Sequence, residues 1–331
     1  MIQWVIGFAF LIVKLGLVLV VLLLGAAYLV LAERKLLARM QIRLGPNRAG
    51  WGGVLQPAAD LIKMMTKEDI MPHGADQTIY RYAPAVVAGT AMLIFAVVPF
   101  GESLTIGGKR VPLLIGDLNV GLLMVLALSS LGVYGVALGG WASNSKYSLL
   151  GGIRGVAQMI SYELSLGLSL IPIVMLARSF SLVDIVAAQA ARPFILAQPI
   201  SFALFFLSAM AEIKRIPFDL PEAENELIAG FHTEYSGLRF GLFFLGEYVT
   251  LVALGSLVAV FFLGGWHGPL RPGLWWFVAK VAGAAWVMIW VRATLPRLRY
   301  DQLMRFGWKY LVPLALLNIL ATGAALLKWG V

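Results

Sequence analysis

Long apolar runs separated by short polar stretches dominate the chain, and their lengths are those of membrane-crossing helices. About twenty mainly apolar residues in helical form cross roughly 30 Å of hydrocarbon. Such runs fall at about residues 2–31, 82–100, 118–141, 155–177, 194–213, 238–263, 274–293 and 309–328. Eight spans predict an all-α polytopic membrane protein, a single membrane domain over residues 1–331, with both termini on one side. The first run is too long for the core of a cleavable leader, lacks a basic flank before it and is followed by Glu33 and Arg34. It therefore reads as the first span.

Between the first two spans the pattern changes. Gly45-Pro46-Asn47 marks a turn, after which Trp51, Val54, Leu55, Ala58, Leu61, Ile62 and Met65 recur at helical spacing with Asp60 opposite them. This predicts an amphipathic helix on the membrane surface. An interfacial anchor is the commoner use of such a helix; the sharper reading is the lip of a portal through which an amphipathic, lipid-like molecule leaves the bilayer.

Composition agrees with the pattern: 60% of residues are hydrophobic, 13% are charged and the mean hydropathy is +0.86. The charges are unevenly placed. Of the 26 lysines and arginines, eighteen fall in the odd-numbered connections, six in the even ones and the tail, and Lys14 and Lys280 inside spans. By the excess of basic residues in inward-facing loops, the odd connections face the cytoplasm and both termini the periplasm of a bacterial inner membrane. The absence of cysteine excludes iron–sulfur clusters, thiolate metal sites and disulfides. His73, His232 and His267 lie far apart in predicted loops, which argues against a haem and against any metal centre. Electrons must reach this chain on a partner or on a diffusible organic carrier.

Seven of the seventeen acidic residues sit in one stretch, EIKRIPFDLPEAENELIAGFHTEYSGLRFGLFFLGE: Glu212, Asp219, Glu222, Glu224, Glu226, Glu234 and Glu247. Carboxylates in or beside lipid are costly unless paired or protonated. Asp219 and Glu222 fit a D-x-x-E capping box that opens a short helix with Pro221 in its first turn. Glu222 and Glu226, four residues apart on one helix face, should repel and drive one pKa upward. Glu163 and Glu247 fall near mid-membrane in the fourth and sixth spans, either as functional acids or as structural ion pairs with Lys14 or Lys280. Arg292, Arg297 and Arg299, in the last basic loop, complement the acids on the same face, although topogenic charge alone accounts for much of that loop.

Three stretches together, GPNRAGWGGVLQPAADLIKMMTKED, EIKRIPFDLPEAENELIAGFHTEYSG and RATLPRLRYDQLMRFGWK, resemble the H-type membrane subunits of proton-translocating NADH:quinone oxidoreductase, respiratory complex I. The resemblance spans nearly the whole chain. It implies a membrane-arm subunit, not catalytic alone, with quinone as substrate and with NADH, FMN and iron–sulfur clusters held in partner subunits. The partners implied are the hydrophilic-arm quinone-site and iron–sulfur subunits, the small neighbouring membrane subunits and lipid, with no nucleic acid. It assigns Glu33, Arg34, Arg43, Trp51, Asp60, Met65, Arg292, Arg297 and Arg299 to the quinone portal and chamber. It assigns Glu163, Glu212, Asp219, Glu222, Glu224, Glu226, Glu234 and Glu247, with Tyr162 alongside Glu163, to a proton path. Trp51 stands where many relatives have proline. Two alternatives are the anchoring subunit of a related membrane-bound hydrogenase or formate hydrogenlyase, and a stand-alone proton-coupled transporter, against which the lack of an inverted repeat speaks.

Overall fold

The apolar runs fold as helices whose ends are set by local chemistry. The computed structural model describes residues 2–106, 109–269 and 271–329. Helix α1 (Ile2–Met40) leads to a surface helix α2 (Gln56–Thr66), then α3 (Gln77–Ile94), a hairpin of β1 (Ser103–Ile106) and β2 (Lys109–Pro112), α4 (Gly121–Ala142) and α5 (Lys146–Ala177). Short helices α6 (Leu182–Ala188) and α7 (Phe194–Ala197) precede α8 (Pro199–Glu212) and a single turn, α9 (Glu224–Leu227). Helices α10 (Gly237–Phe262), α11 (Leu274–Thr294), α12 (Tyr300–Phe306) and α13 (Val312–Trp329) follow, with a π-helical turn at Gly307–Leu311 joining the last two.

Among the described residues, six helices are long and apolar enough to cross a membrane: those within α1, α4, α5, α10, α11 and the run from α12 to α13. The second and fifth predicted spans are helical but marginal. Helix α3 carries Arg81 in its 18 residues, and α8, with 14 residues, rises only about 21 Å. The fifth run is interrupted at Gln198, between α7 and α8.

Helix α10 forms the centre. Its residues from Ala253 to Phe262 are almost all enclosed, and Phe261 and Phe262 meet Phe202 and Phe205 of α8 at tilted or edge-on angles that suit aromatic quadrupoles. Helices α1 and α13, in contrast, keep most of their apolar surface outward. On the face opposite the basic loops, Lys14 donates to the carbonyls of Pro112 and Leu114 below the hairpin, and Lys280 donates to those of Leu263, Gly265 and His267 at the end of α10. Both lysines are thus held by backbone oxygens at loop ends, and not by Glu163 or Glu247, the ion-pair alternative to a functional role for those acids. From Lys14 to Arg34, α1 rises about 30 Å, one hydrocarbon thickness.

The basic loops interlock on one face. Asp76 caps α3 through the Thr78 and Ile79 amides, the Leu298 amide donates to the Pro217 carbonyl at 3.1 Å, and Ser236 accepts from the Ile70 amide and donates to the Glu68 carbonyl. Gly230 lies in the left-handed region (φ +62), where a Cβ would stand 1.7 Å from the Pro221 carbonyl oxygen. Only glycine lets the acidic connection fold back on itself there.

Candidate functional site

The acidic connection is held over the helical core by a buried amide. Gln158 of α5 donates its side-chain NH2 to the carbonyls of Ala211 (2.8 Å) and Phe218 (2.7 Å), clamping the two ends of the segment that leaves α8. Lys214 takes the left-handed conformation that ends α8 (φ +61), a regular way to stop a helix, and the reversal turns Lys214 and Arg215 into the interior.

Arg215 is the hub. Its guanidinium bonds Glu33 of α1 and Glu247 of α10 and lies 4.2 Å over the Tyr248 ring, while Glu33 also pairs with Arg292 of α11 and accepts from the Tyr248 hydroxyl. Two carboxylates thus balance two guanidinium groups, and the side chains of Glu33 and Arg215 are only 2% and 4% exposed. Charges this deep persist only when paired and hydrogen-bonded.

Spaces open on both sides of this hub. Toward α2, a pocket of about 150 Å³ is lined by Ala26, Arg34, Asp60, Met64, Leu245 and Tyr248. Arg34 and Asp60 pair at 2.7 Å across it, giving an apolar cleft a polar lip. Toward α3, α4 and α5, a cavity of about 30 Å³, with room for one or two waters, is lined by Thr90, Glu212, Lys214, Glu247 and Thr250. Tyr248 belongs to the first space and Glu247 to the second, and Arg215 touches both residues. Beyond the cavity, the charge of Glu163 acts on buried Glu212, and Glu163 accepts from Ser130 of α4.

The other acids divide by environment. Burial, reinforced by the charges of Glu247 and Asp219, pushes the Glu222 carboxyl up to about 8, although 28% of its side chain remains open. The bond from Arg154 and the nearby Arg297 hold Glu226 below the usual carboxylate range. The raised acid is therefore Glu222, for reasons other than the expected repulsion by Glu226. The short helix does not open at Asp219 either: α9 begins at Glu224, with Ala223 at its N-cap. The Glu224 side chain lies outside the described residues, and Glu234 is half-buried, its carbonyl accepting from the Tyr80 hydroxyl at 2.7 Å.

The remaining predicted residues scatter. Arg43 bonds Gln41, Trp51 is 97% exposed and Met65 also points outward, so these three do not line the pocket. Of the three arginines expected in the last basic loop, Arg292 reaches Glu33, Arg297 reaches Glu226 at 3.5 Å and Arg299 pairs with Asp301 in the first turn of α12. Tyr162 donates to the Leu303 carbonyl at 3.0 Å, away from the acids.

Comparison with known proteins decides the family. The model of the NADH dehydrogenase family matches residues 13–323. The chain belongs to that family. The H protein of NADH-quinone oxidoreductase numbered 2 in Syntrophobacter fumaroxidans is 70% identical over 330 residues, covering all of both chains. Its counterpart in Syntrophotalea carbinolica is 63% identical over 96% of this chain and 97% of its own, and the one numbered 1 in Geobacter metallireducens is 64% identical over 94% of each.

Within this NADH dehydrogenase fold, sequence reasoning overlooked Gln158, Lys214, Arg215, His232 and Tyr248 as site residues. The available signal was the pair Lys214-Arg215 shortly after Glu212 and before the apolar Ile216-Pro217-Phe218, a context in which a charge is buried more readily than solvated.

Proposed function

We propose that this chain is the membrane subunit of a proton-translocating NADH:quinone oxidoreductase that forms the entrance of the quinone chamber and the start of the acidic path coupling quinone reduction to proton movement. The observation that carries this reading is the row of polar groups from the pocket to the acids, joined by shared lining, by the contacts of Arg215 and by charge interaction. It runs from the Arg34–Asp60 lip to Tyr248, through Arg215 to Glu247, and across the small cavity to Glu212 and Glu163.

A quinone ring is flat, weakly polar and carried on an apolar tail. An apolar cleft beside the membrane surface with a few convergent polar groups suits it. The four-charge hub behind the cleft responds to any new charge there, because each carboxylate is held by a shared arginine. Reduction of quinone calls for protons, and groups whose protonation states are linked pass that demand inward as a change in pairing. Under this reading α3 and α7–α8 complete eight spans, the domain is single, the basic loops face the cytoplasm of a bacterial inner membrane and both termini face the periplasm. The outward apolar faces of α1 and α13 meet lipid or neighbouring membrane subunits. The basic-loop face meets the hydrophilic-arm subunits that carry FMN and the iron–sulfur clusters.

The test is Glu247→Gln in native membranes. NADH-driven quinone reduction and proton uptake should both fall by about tenfold or more with the assembled complex present in normal amount. Unchanged rates of both would end the proposal.

A further inference from the structure

The pocket between α1, α2 and α10 is fixed along its backbone and adjustable at one side chain. Helix α10 opens with two glycines one turn apart on the same face, Gly237 and Gly241, and the end of α2 lies directly on them. A Cβ at Gly237 would stand 3.2 Å from the Lys67 carbonyl oxygen, and one at Gly241 only 2.8 Å from the Met64 sulfur. The chain leaving α2 is tied down there: the Ser236 hydroxyl accepts from the Ile70 amide and donates to the Glu68 carbonyl, both at 3.0 Å, and Arg239 pairs with Asp69 at 3.1 Å. One turn before Met64, on the same face, Asp60 is tied to Arg34 of α1. Met64 and Gly241 both line the pocket, whereas the adjacent Met65 points outward. Between these fixed points the Met64 thioether, unbranched and with three rotatable bonds, is the part free to move.

We propose that Met64, seated on Gly241, selects quinones by the number of fused rings the pocket admits. This rests on the quinone-entrance reading and names the residue pair that discriminates within that substrate class. The pocket's volume of about 150 Å³ is that of a cavity that takes a single benzene ring. A one-ring benzoquinone enters with Met64 in place; a two-ring naphthoquinone needs the thioether to leave its seat. On the α1 wall Ala26 and Ala27 have no side chain to withdraw, and at the inner end Tyr248 is held by Arg215 and Glu33. The branched side chains of Leu61, Leu238 and Leu242 complete the lining and adapt less readily than a thioether. The two quinone classes differ in bulk more than in polarity, and in an apolar pocket one methylene of fit is worth about tenfold or more.

The test measures NADH-driven quinone reduction by the assembled complex in detergent, normalised to its amount on native gels, with a benzoquinone and a naphthoquinone that carry the same short tail. Met64→Ala should lower the naphthoquinone KM relative to the benzoquinone KM by about tenfold. Gly241→Ala fills the seat, displaces the thioether and should shift that ratio the other way. In the double variant Met64→Ala, Gly241→Ala most of the opposing shift should vanish. A looser α2 alone would move both KM values together and leave their ratio as it was. Ala27→Leu fills the pocket from the α1 wall and should raise both. If Ala27→Leu raises both KM values while neither Met64→Ala nor Gly241→Ala changes the ratio, the size selection is wrong and the entrance stands. If Ala27→Leu leaves both KM values at wild type, the entrance reading fails and the selection with it.

Discussion

Two carboxylates in this chain are each held between two arginines, and they differ mainly in access to water. Glu33 lies between Arg215 and Arg292 with 2% of its side chain exposed; Glu226 lies between Arg154 (2.5 Å) and Arg297 (3.5 Å) with 48% exposed. At the exposed site water screens the charges, and such pairs contribute about 0.2–1 kcal/mol. At the buried site each partner is obligatory, because removal of one leaves an unsolvated charge at a cost of about 3–5 kcal/mol. The same arrangement thus serves as a loop fastening in one place and, in the other, as a hub whose state cannot change without its neighbours changing.

Arg215→Met sharpens this contrast most. It takes from Glu247 its arginine, leaves Glu33 with Arg292 alone, and should destabilise the detergent-solubilised chain by about 3–5 kcal/mol, read as a fall in unfolding temperature. The double variant Arg215→Met, Glu247→Gln should recover part of the loss, and strict additivity would break the account of a shared hub.

An intermediate effect is expected from pH. Folded Glu222 keeps its proton to about 8 against 4.5 for the free side chain, so the folded state binds the extra proton in that window and stability falls as pH rises through it. For His232, about 4 folded against 6.5 free, the unfolded state binds the extra proton, and stability falls as pH drops from 6.5 to 4. Thermal unfolding across pH should show both limbs. Glu222→Gln flattens the alkaline one and His232→Asn the acid one.

The smallest effect belongs to Glu226→Gln. It should change stability by no more than about 1 kcal/mol and leave quinone reduction and proton uptake near normal in native membranes. A large loss would mean that the exposed cluster belongs to the path.

Much of the helical frame is legible in the chain because apolar run length is a one-dimensional property. The run at 238–263 corresponds to α10 at Gly237–Phe262, and that at 274–293 to α11 at Leu274–Thr294. What stays hidden depends on azimuth and on partners distant in sequence. Lys14 and Lys280 do lie in helices α1 and α11, but nothing in the order of residues shows that backbone carbonyls at loop ends lie within their reach. Arg215 reads as topogenic charge until the reversal at Lys214 turns it inward, toward Glu33, which lies 182 residues away in the chain. The D-x-x-E spacing signals a cap, yet Glu222 is drawn among buried acids instead, since the fold-back at Gly230 brings Pro221 and the turn of His232 together. The hairpin Ser103–Pro112 is too short to stand out beside the spans.

The most direct test of the central claim, that the pocket between α1, α2 and α10 admits quinone and abuts the charged hub, is photo-crosslinking with a quinone analogue in native membranes, followed by mapping of the labelled peptides. Label within residues 34–67 and 238–248, competed away by excess quinone and weakened by Asp60→Asn, is the expected result. Label confined to neighbouring subunits, with none on this chain, would contradict it.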